Sequence, residues 1–273
     1  MKALTVARRE LAGHFHAPIA WVVGTLFLAA QGFSFWAVIQ TLADPEHAPT
    51  YGAVLRQHFG GTLLHWAIVL PVVAAISMRL VAEDKRQGTW ELLGTAPVAE
   101  ETVLLGKWLG AVAFYALLWL PTLLHLLVLR AVAGAGVDPG PVIAAYGGAL
   151  LVGAGFLAVG IAASAATANQ IVAAVVTFAL LLGLLLVGQI PELAPGWIAD
   201  APRAAAVLHA LDVRDHMDRF ARGAVDTPPI LFHLGVAAVG LAAASVTAVA
   251  GRRRAGELRA RALAALLVLV IAV

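Results

Sequence analysis

VIAAYGGALLVGAGFLAVGIAASAAT (Val142–Thr167) and IVAAVVTFALLLGLLLVGQI (Ile171–Ile190), joined only by Ala168-Asn169-Gln170, decide the fold. Neither run contains Asp, Glu, Lys or Arg. The hydrocarbon core of a bilayer is about 30 Å thick, and roughly 20 helical residues cross it. Both runs are long enough, and so short a turn makes them cross in opposite directions. A barrel strand would alternate over about ten residues. These runs are continuous and dominated by Ala and Leu, which are strong helix formers, and a helix satisfies its own backbone hydrogen bonds in lipid.

Working outward, four further stretches meet the same criterion: Ile19–Gln40, Leu63–Val81, Trp108–Val132 and Ile230–Ala250. The expected fold is therefore all-α, a polytopic membrane protein with six transmembrane helices in one domain, residues 1–254. Composition agrees. Of 273 residues 61% are apolar and 12% charged, against roughly 45–50% and about 25% in soluble domains. An ordinary soluble enzyme and a disordered chain are excluded, and the lack of cysteine excludes a disulfide scaffold. Residues 255–273 form a basic, then apolar, tail. Its run Ala262–Val273 is too short to span at about 1.5 Å per residue. It reads either as an interfacial segment or as the opening of a helix that a longer relative would complete. The basic N-terminus and Leu28-Ala29-Ala30 weakly imitate a signal peptide. The apolar segment exceeds the usual core of about 7–15 residues, so an uncleaved first span is expected.

Lys and Arg near span ends set orientation. With the N-terminus inside, the inner segments hold Lys2, Arg8, Arg9, Arg79, Lys85, Arg86, Lys107, Arg252, Arg253, Arg254, Arg259 and Arg261. The outer segments hold Arg56, Arg130, Arg203, Arg214, Arg219 and Arg222, four of them in one long loop. Both termini are thus expected in the cytoplasm, with the chain in a bacterial cytoplasmic (inner) membrane. The basic residues serve as topology signals, and no nucleic-acid role is expected.

Three segments between spans carry pattern. In the N-terminal stretch Leu4, Ala7, Leu11 and Phe15 share one helical face, with Arg8, Arg9 and Glu10 elsewhere; this predicts an amphipathic helix at the inner interface, ended by Pro18. The loop Ala82–Lys107 clusters Glu83, Asp84, Lys85 and Arg86. Gly88 then breaks it before Thr89-Trp90-Glu91-Leu92-Leu93 and Pro97. Trp90, Leu92 and Leu93 on the water side ask for a partner surface, unless they pack on the protein's own helix ends. In the outer loop Pro191–Pro229, Ala206, Ala210, Val213, Met217 and Phe220 recur at helical spacing. Asp215 with Arg219 and Asp218 with Arg222 are ordered favourably on the opposite face, and Gly223 is placed as a C-cap. This predicts one amphipathic helix on the outer side. Within the spans, Ala154, Ala158, Ala162 and Ala166 form a small face suited to close helix approach, echoed by Gly240, Ala244 and Ala248. Pro71 and Pro121 predict kinks.

Catalytic chemistry is sparse. Gly106-Lys107 lacks the upstream glycine and following Ser or Thr of a phosphate loop, and H-E-x-x-H is missing. Asp212 and His216 share a face but lack further ligands for a metal site. No carboxylate lies deep in a span, which argues against a proton-driven carrier; His65 and His125 read as packing residues. A chain with no catalytic residues or metal of its own, yet with structured inner segments, fits a transport subunit driven by a separate ATPase.

The residues then resemble a family. Arg8-Arg9-Glu10-Leu11 with Phe15, Pro18, Ile19, Ala20 and Trp21, the loop Glu83–Leu93 with Thr95-Ala96-Pro97-Val98, and Gly106-Lys107 are similar to permeases of the second, exporter-type class of ABC transporters. The stretch His216–Asp226, with Phe220, Gly223, Val225 and Asp226, resembles the gliding-motility and copper-enzyme-maturation branches, departing from them at Ala224 and Thr227-Pro228-Pro229. The resemblance implies an elbow helix carrying Arg8, Arg9, Glu10, Phe15 and Pro18. It implies a coupling helix that docks on a nucleotide-binding subunit through Glu83, Lys85, Arg86, Gly88, Thr89, Glu91, Leu92, Leu93 and Pro97, with Glu91 and Arg86 as polar anchors. It also implies a re-entrant outer helix with Arg214, Asp215, Asp218, Arg219, Phe220 and Gly223. ATP and Mg would belong to the partner ATPase, with no cofactor in this chain. A second permease copy or homologue would pair with it, and the outer helix leaves room for an extracytoplasmic accessory protein. The alternative is a membrane scaffold that binds a partner without moving cargo.

Overall fold

The computed structural model describes residues 2–42, 51–93, 98–133, 138–193, 196 and 201–248. Among these there are helices and turns and no strand. Six helical stretches are long and apolar enough to cross a membrane: Pro18–Gln40, Val54–Arg86, Glu100–Ala131, Pro139–Ala166, Gln170–Val187 and Thr227–Ala248. The tail 255–273, Pro97 and the end of the sixth run at Ala250 lie outside the described residues.

In chain order, α1 (Lys2–His16) leads into α2 (Pro18–Leu42), the first span. Pro18 sits at its first position, where its missing N–H costs nothing. The second span begins earlier than its apolar run. α3 (Tyr51–Arg56) and a π-turn (Gln57–Gly61) precede α4 (Leu63–Ser77), and Val54, Leu55, His58 and Phe59 are buried there. Gly60 has φ 154°, a backbone that favours glycine. A methyl group on it would lie 2.8 Å from Met217 Cγ. The helix runs through Pro71 without a break.

Two short helices, α5 (Ala82–Arg86) and α6 (Thr89–Leu93), lead to α7 (Glu100–Trp119). The third span thus starts eight residues before the sequence placed it, because Glu100 and Glu101 occupy the first turn, where the helix dipole favours acids. At Pro121 the span tightens into a 3₁₀ turn (Leu120–Leu123), then continues as α8 (Leu124–Ala133). The Thr122 hydroxyl donates to the Trp119 carbonyl at 2.6 Å there.

α9 (Pro139–Ala166) is the central helix. It packs on α14 (Thr227–Ala248) most extensively, and on α4, α7, α10 (Gln170–Val187) and α13 (Val213–Ala221). The close approaches are made by more than the expected alanine face. Ala158 is buried against Gly240, where a methyl would lie 2.5 Å from the Ala158 carbonyl carbon, but Ala154 and Ala162 are half-buried and Ala166 is exposed. Gly153 receives Tyr115 and Gly160 receives Ser77. The alanine period of four drifts around a helix of 3.6 residues per turn, so one stripe cannot face one neighbour along the whole span. On α14, Gly240, Ala244 and Ala248 are all buried as expected.

The turn to α10 (Gln170–Val187) is closed by Asn169, whose side chain accepts from Ile171 N at 2.9 Å. Beyond α11 (Ile190–Leu193), the predicted single outer helix is two: α12 (Pro202–Ala210) and α13 (Val213–Ala221). Asp212 makes the break. Its carboxylate accepts from Arg214 N at 2.9 Å and Asp215 N at 3.3 Å, capping α13 and competing with continuation of α12. α1, α5, α6 and the ends of α9 and α14 gather at one end of the bundle; α3, the π-turn and α13 close the other.

Candidate functional site

The loop between the second and third spans is built around one hydroxyl. Ser164 of α9, fully buried, donates to Met78 O at 2.9 Å and accepts from Val81 N and Ala82 N at 3.0 Å each. It thereby satisfies backbone groups freed where α4 ends, and lets the chain turn into α5. Gly88, at φ 72°, then reverses the chain into α6. Lys85 donates to the Ala165 carbonyl, and Glu83 accepts from Gln170, Gln87 and, at 2.8 Å, Arg86. The Thr89 hydroxyl donates to Asp84 O at 3.2 Å. Of the two expectations for Trp90, a partner surface or the protein's own helix ends, the second holds: it is buried, and its indole N–H donates to Ala248 O at 3.3 Å. Glu83, Lys85 and Trp90 therefore staple the loop to the bundle, Thr89 ties α6 to α5, and Leu93 is half-buried. Arg86, Glu91 and Leu92 point outward, Leu92 being 69% exposed.

The inner wall of this site is an ionic triad. Lys107 of α7, 9% exposed at its side chain, reaches Glu10 of α1 at 2.9 Å and Asp84 of α5 at 2.8 Å. The sequence reading placed Glu10 off the working face of α1, and the structure corrects this. α1 buries Ala7 and His14 and turns Glu10 inward, while Leu4 and Phe15 stay exposed along with Arg8 and Arg9. The cause lies in α7. A methyl at Gly106 would lie 2.6 Å from Val6 Cβ, and one at Gly110 would lie 2.8 Å from the Ala7 carbonyl oxygen. Only glycine at both positions admits the α1 backbone this closely. His14 stacks on Phe114 at 4.8 Å and donates through Nδ1 to Glu10 O. Burial pushes its pKa down, aided by Arg79 and opposed by Glu10. The Trp21 indole N–H donates to Phe15 O at 2.9 Å, tying α1 to the first span. Asp84 was not singled out from sequence, because its partners stand on helices far apart in the chain. A cavity of about 660 Å³ opens between α1, the loop and α7.

At the opposite end α13 is seated by contacts of three kinds. Val213, Met217 and Phe220 are buried, Phe220 over Gly148. Asp212 accepts from Gln189 Nε2 at 2.9 Å, and Gln189 Oε1 accepts from Arg214 at 2.6 Å. Asp215 pairs with Arg219 at 2.7 Å and Asp218 with Arg222. Asp218 also pairs with Arg56 at 2.5 Å, a link across the chain that local spacing does not show. Gly223, at φ 87°, donates to Phe220 O and Ala224 N to Arg219 O, the double bond pattern of a Schellman cap. His216 packs on Phe232 and His233. Burial lowers its pKa to about 4, with Arg219 adding and Asp215 opposing.

Six apolar helices, close-packed through small residues and carrying short helices at both ends, define a multi-pass membrane protein. A family model described as ABC-2 family transporter protein matches residues 4–202, from α1 through the first five spans. The chain belongs to that family, and so is a membrane permease component of an ABC transporter, a class that associates with an ABC ATPase subunit. No curated protein matches it.

Proposed function

We propose that α5 and α6 dock on the nucleotide-binding subunit, and that the chain pairs with a second permease copy or homologue to export cargo from the cytoplasm. ATP and Mg are used by the partner, and both termini lie on its side of the membrane, where two thirds of the Lys and Arg residues fall. The observation that carries this reading is the division of the loop into two faces. One is stapled by Glu83, Lys85 and Trp90 to α10, α9 and α14. The other presents Leu92 between Glu91 and Arg86. An exposed leucine ringed by opposite charges on a rigid mount suits force transmission, since the staples carry movement of the loop directly into the spans. The outer stretch His216–Asp226 supports placement near the gliding-motility and copper-enzyme-maturation branches.

The test is co-purification with a candidate ABC ATPase subunit. Leu92→Asp and Glu91→Arg each weaken the complex at least about tenfold, as expected for central contact residues, while leaving the permease folded. A complex unaffected by both changes overturns the docking assignment. A complex that forms normally, but whose ATPase rate never responds to any cargo in liposomes, favours the scaffold reading.

A further inference from the structure

Two histidine pairs stand on either side of a close contact at the α13 end of the bundle. The contact is Gly60 of the π-turn against Met217 of α13, where a methyl on Gly60 would lie 2.8 Å from Met217 Cγ. Behind the π-turn, His58 meets His125 of α8 at 5.5 Å between ring centroids, and Phe35 of α2 touches both, at 5.5 and 4.4 Å. Behind α13, His216 meets His233 of α14 at 5.4 Å, with Phe232 at 5.0 Å from His216. His58, His216 and His233 are buried and His125 is half-buried.

Both pairs lack hydrogen-bond partners. Among the described residues, both ring nitrogens of His58 and of His233, and Nδ1 of His125 and His216, have none. A neutral imidazole tolerates this, but a buried imidazolium without a partner costs far more. The nearby acids are engaged elsewhere: Asp215 by Arg219, Asp218 by Arg56 and Arg222, and Asp212 by Gln189 and the start of α13, with Glu192 of α11 beyond it. The packed elements α2, α4, α9, α10, α14 and the 3₁₀ turn contain no Asp, Glu, Lys or Arg, and α8 adds Arg130. Their remaining titratable groups are Tyr146 of α9, bonded to Thr122 at 3.0 Å, and His65 of α4, whose Nδ1 donates to His58 O at 3.0 Å. No free carboxylate therefore waits to receive a charged ring in either pair.

The backbone is irregular at the same places. His58 lies in the π-turn, and His125 stands two residues past the 3₁₀ turn at Pro121. Such interruptions within a helix are where hinges form.

We propose that the two pairs form a proton-operated clasp: a proton taken up by one ring of a pair drives its two rings apart, and the π-turn separates from α13 at Gly60 and Met217. The clasp is read on the fold of the permease alone and stands apart from ATPase docking and export. Burial holds His216 at about 4, with Arg219 adding and Asp215 opposing. Once opened to water it titrates near 6.5. The closed clasp is therefore complete above about pH 6.5 and weakens as pH falls. Going from pH 7.5 to 5.5 favours the open form about tenfold through His216 alone.

The chain has no cysteine, so one introduced thiol reports on the contact. Met217→Cys places it under Gly60, and Val225→Cys, at a residue 62% exposed, serves as reference. The full-length permease in nanodiscs is labelled with a neutral thiosulfonate between pH 7.5 and 5.5. The rate at residue 217, divided by that at 225, rises about tenfold or more as pH falls. With His58→Phe and His216→Phe added, which keep the ring contacts without a proton site, the slow rate at pH 7.5 remains and the rise shrinks below about threefold. If that pair fails to fold, His125→Phe with His233→Phe tests the same clasp from the backing helices. If Met217→Cys itself labels fast at pH 7.5, Val54→Cys in α3 replaces it as the buried thiol. A ratio independent of pH overturns the clasp, as does a rise undiminished in the phenylalanine variants. Phenylalanine variants that fold yet label fast at every pH assign the rings to packing alone and overturn it too.

Discussion

Lys107 shows how a single side chain joins elements that the sequence keeps apart. It bridges Glu10 and Asp84 with only 9% of its side chain exposed, and the two carboxylates are 16% and 22% exposed. A charge this sheltered is tolerated because both partners are in place, and removing it leaves two acids facing each other. Lys107→Met is therefore expected to destabilise the permease by about 3 kcal/mol, the usual range for breaking a buried pair. Lys107→Arg costs less. Thermal unfolding in detergent, followed by tryptophan fluorescence, measures both, and a Met variant as stable as wild type would show the triad to be dispensable. The sequence made Glu10 and Lys107 visible as separate motif letters but could not pair them, since they lie 97 positions apart. Ser164 was similarly hidden. It read as one more small residue in an alanine-rich span, and its role depends on the backbone of a different helix ending beside it.

Among the elements, α1 is where local pattern and packing disagree most. Its apolar stripe of Leu4, Ala7, Leu11 and Phe15 was legible, and Leu4 and Phe15 do lie on the exposed side. The protein-facing side shares Ala7 and Leu11 with that stripe but adds Val6, Glu10 and His14, and it is selected by the glycines of α7. Periodicity finds an apolar stripe but cannot tell lipid from protein, because both are apolar surroundings. Gly110→Val tests this directly. Even a methyl there meets Glu10 Cβ at 2.7 Å and Ala7 O at 2.8 Å. The branched side chain is therefore expected to push α1 off α7 and open the triad. A proteolysis assay reads the change as faster cleavage after Arg8 and Arg9, with the remaining bundle intact. An unchanged digestion rate would mean that α1 is held mainly by Trp21 and the turn at Pro18. At the α13 end the helical content of 202–221 was legible, but the break was not. The period of Ala206, Ala210 and Val213 passes straight through Asp212, whose preference for capping decides the matter only once Gln189 is beside it.

At the scale of the whole molecule, the six spans were readable because lipid imposes one dominant rule, about 20 apolar residues per crossing. The ends of the bundle obey no such rule and had to be seen in three dimensions. They are also where pH acts on the fold. His216 of α13 is surrounded by Phe232 and His233 of α14 and by Asp215 and Arg219 of its own helix, and its pKa is lowered to about 4. In the unfolded chain it titrates near 6.5. Between those values the unfolded chain takes up a proton that the folded chain refuses, so stability is complete above about pH 6.5 and declines as pH falls. By pH 5.5 the loss is about 1 kcal/mol from this one group. His14, also pushed down by burial, acts in the same direction from the other end of the bundle. Asp212, whose carboxyl is raised by burial, opposes them, because its folded form gains the proton first. Because that carboxyl sits above its ordinary value, its opposition overlaps the lower part of the window in which the histidines act. Unfolding temperatures measured from pH 7.5 to 5.5 should therefore fall for the wild-type chain and fall less for His216→Phe, which keeps an aromatic ring against Phe232 but has nothing to titrate. If both chains lose stability in parallel, the proton enters elsewhere and α13 is not the acid-sensitive end. If the difference appears as expected, the cap that ties Arg56 of α3 to Asp218 of α13 is an acid-sensitive part of the bundle, and His14 accounts for the share of the loss that His216→Phe leaves in place.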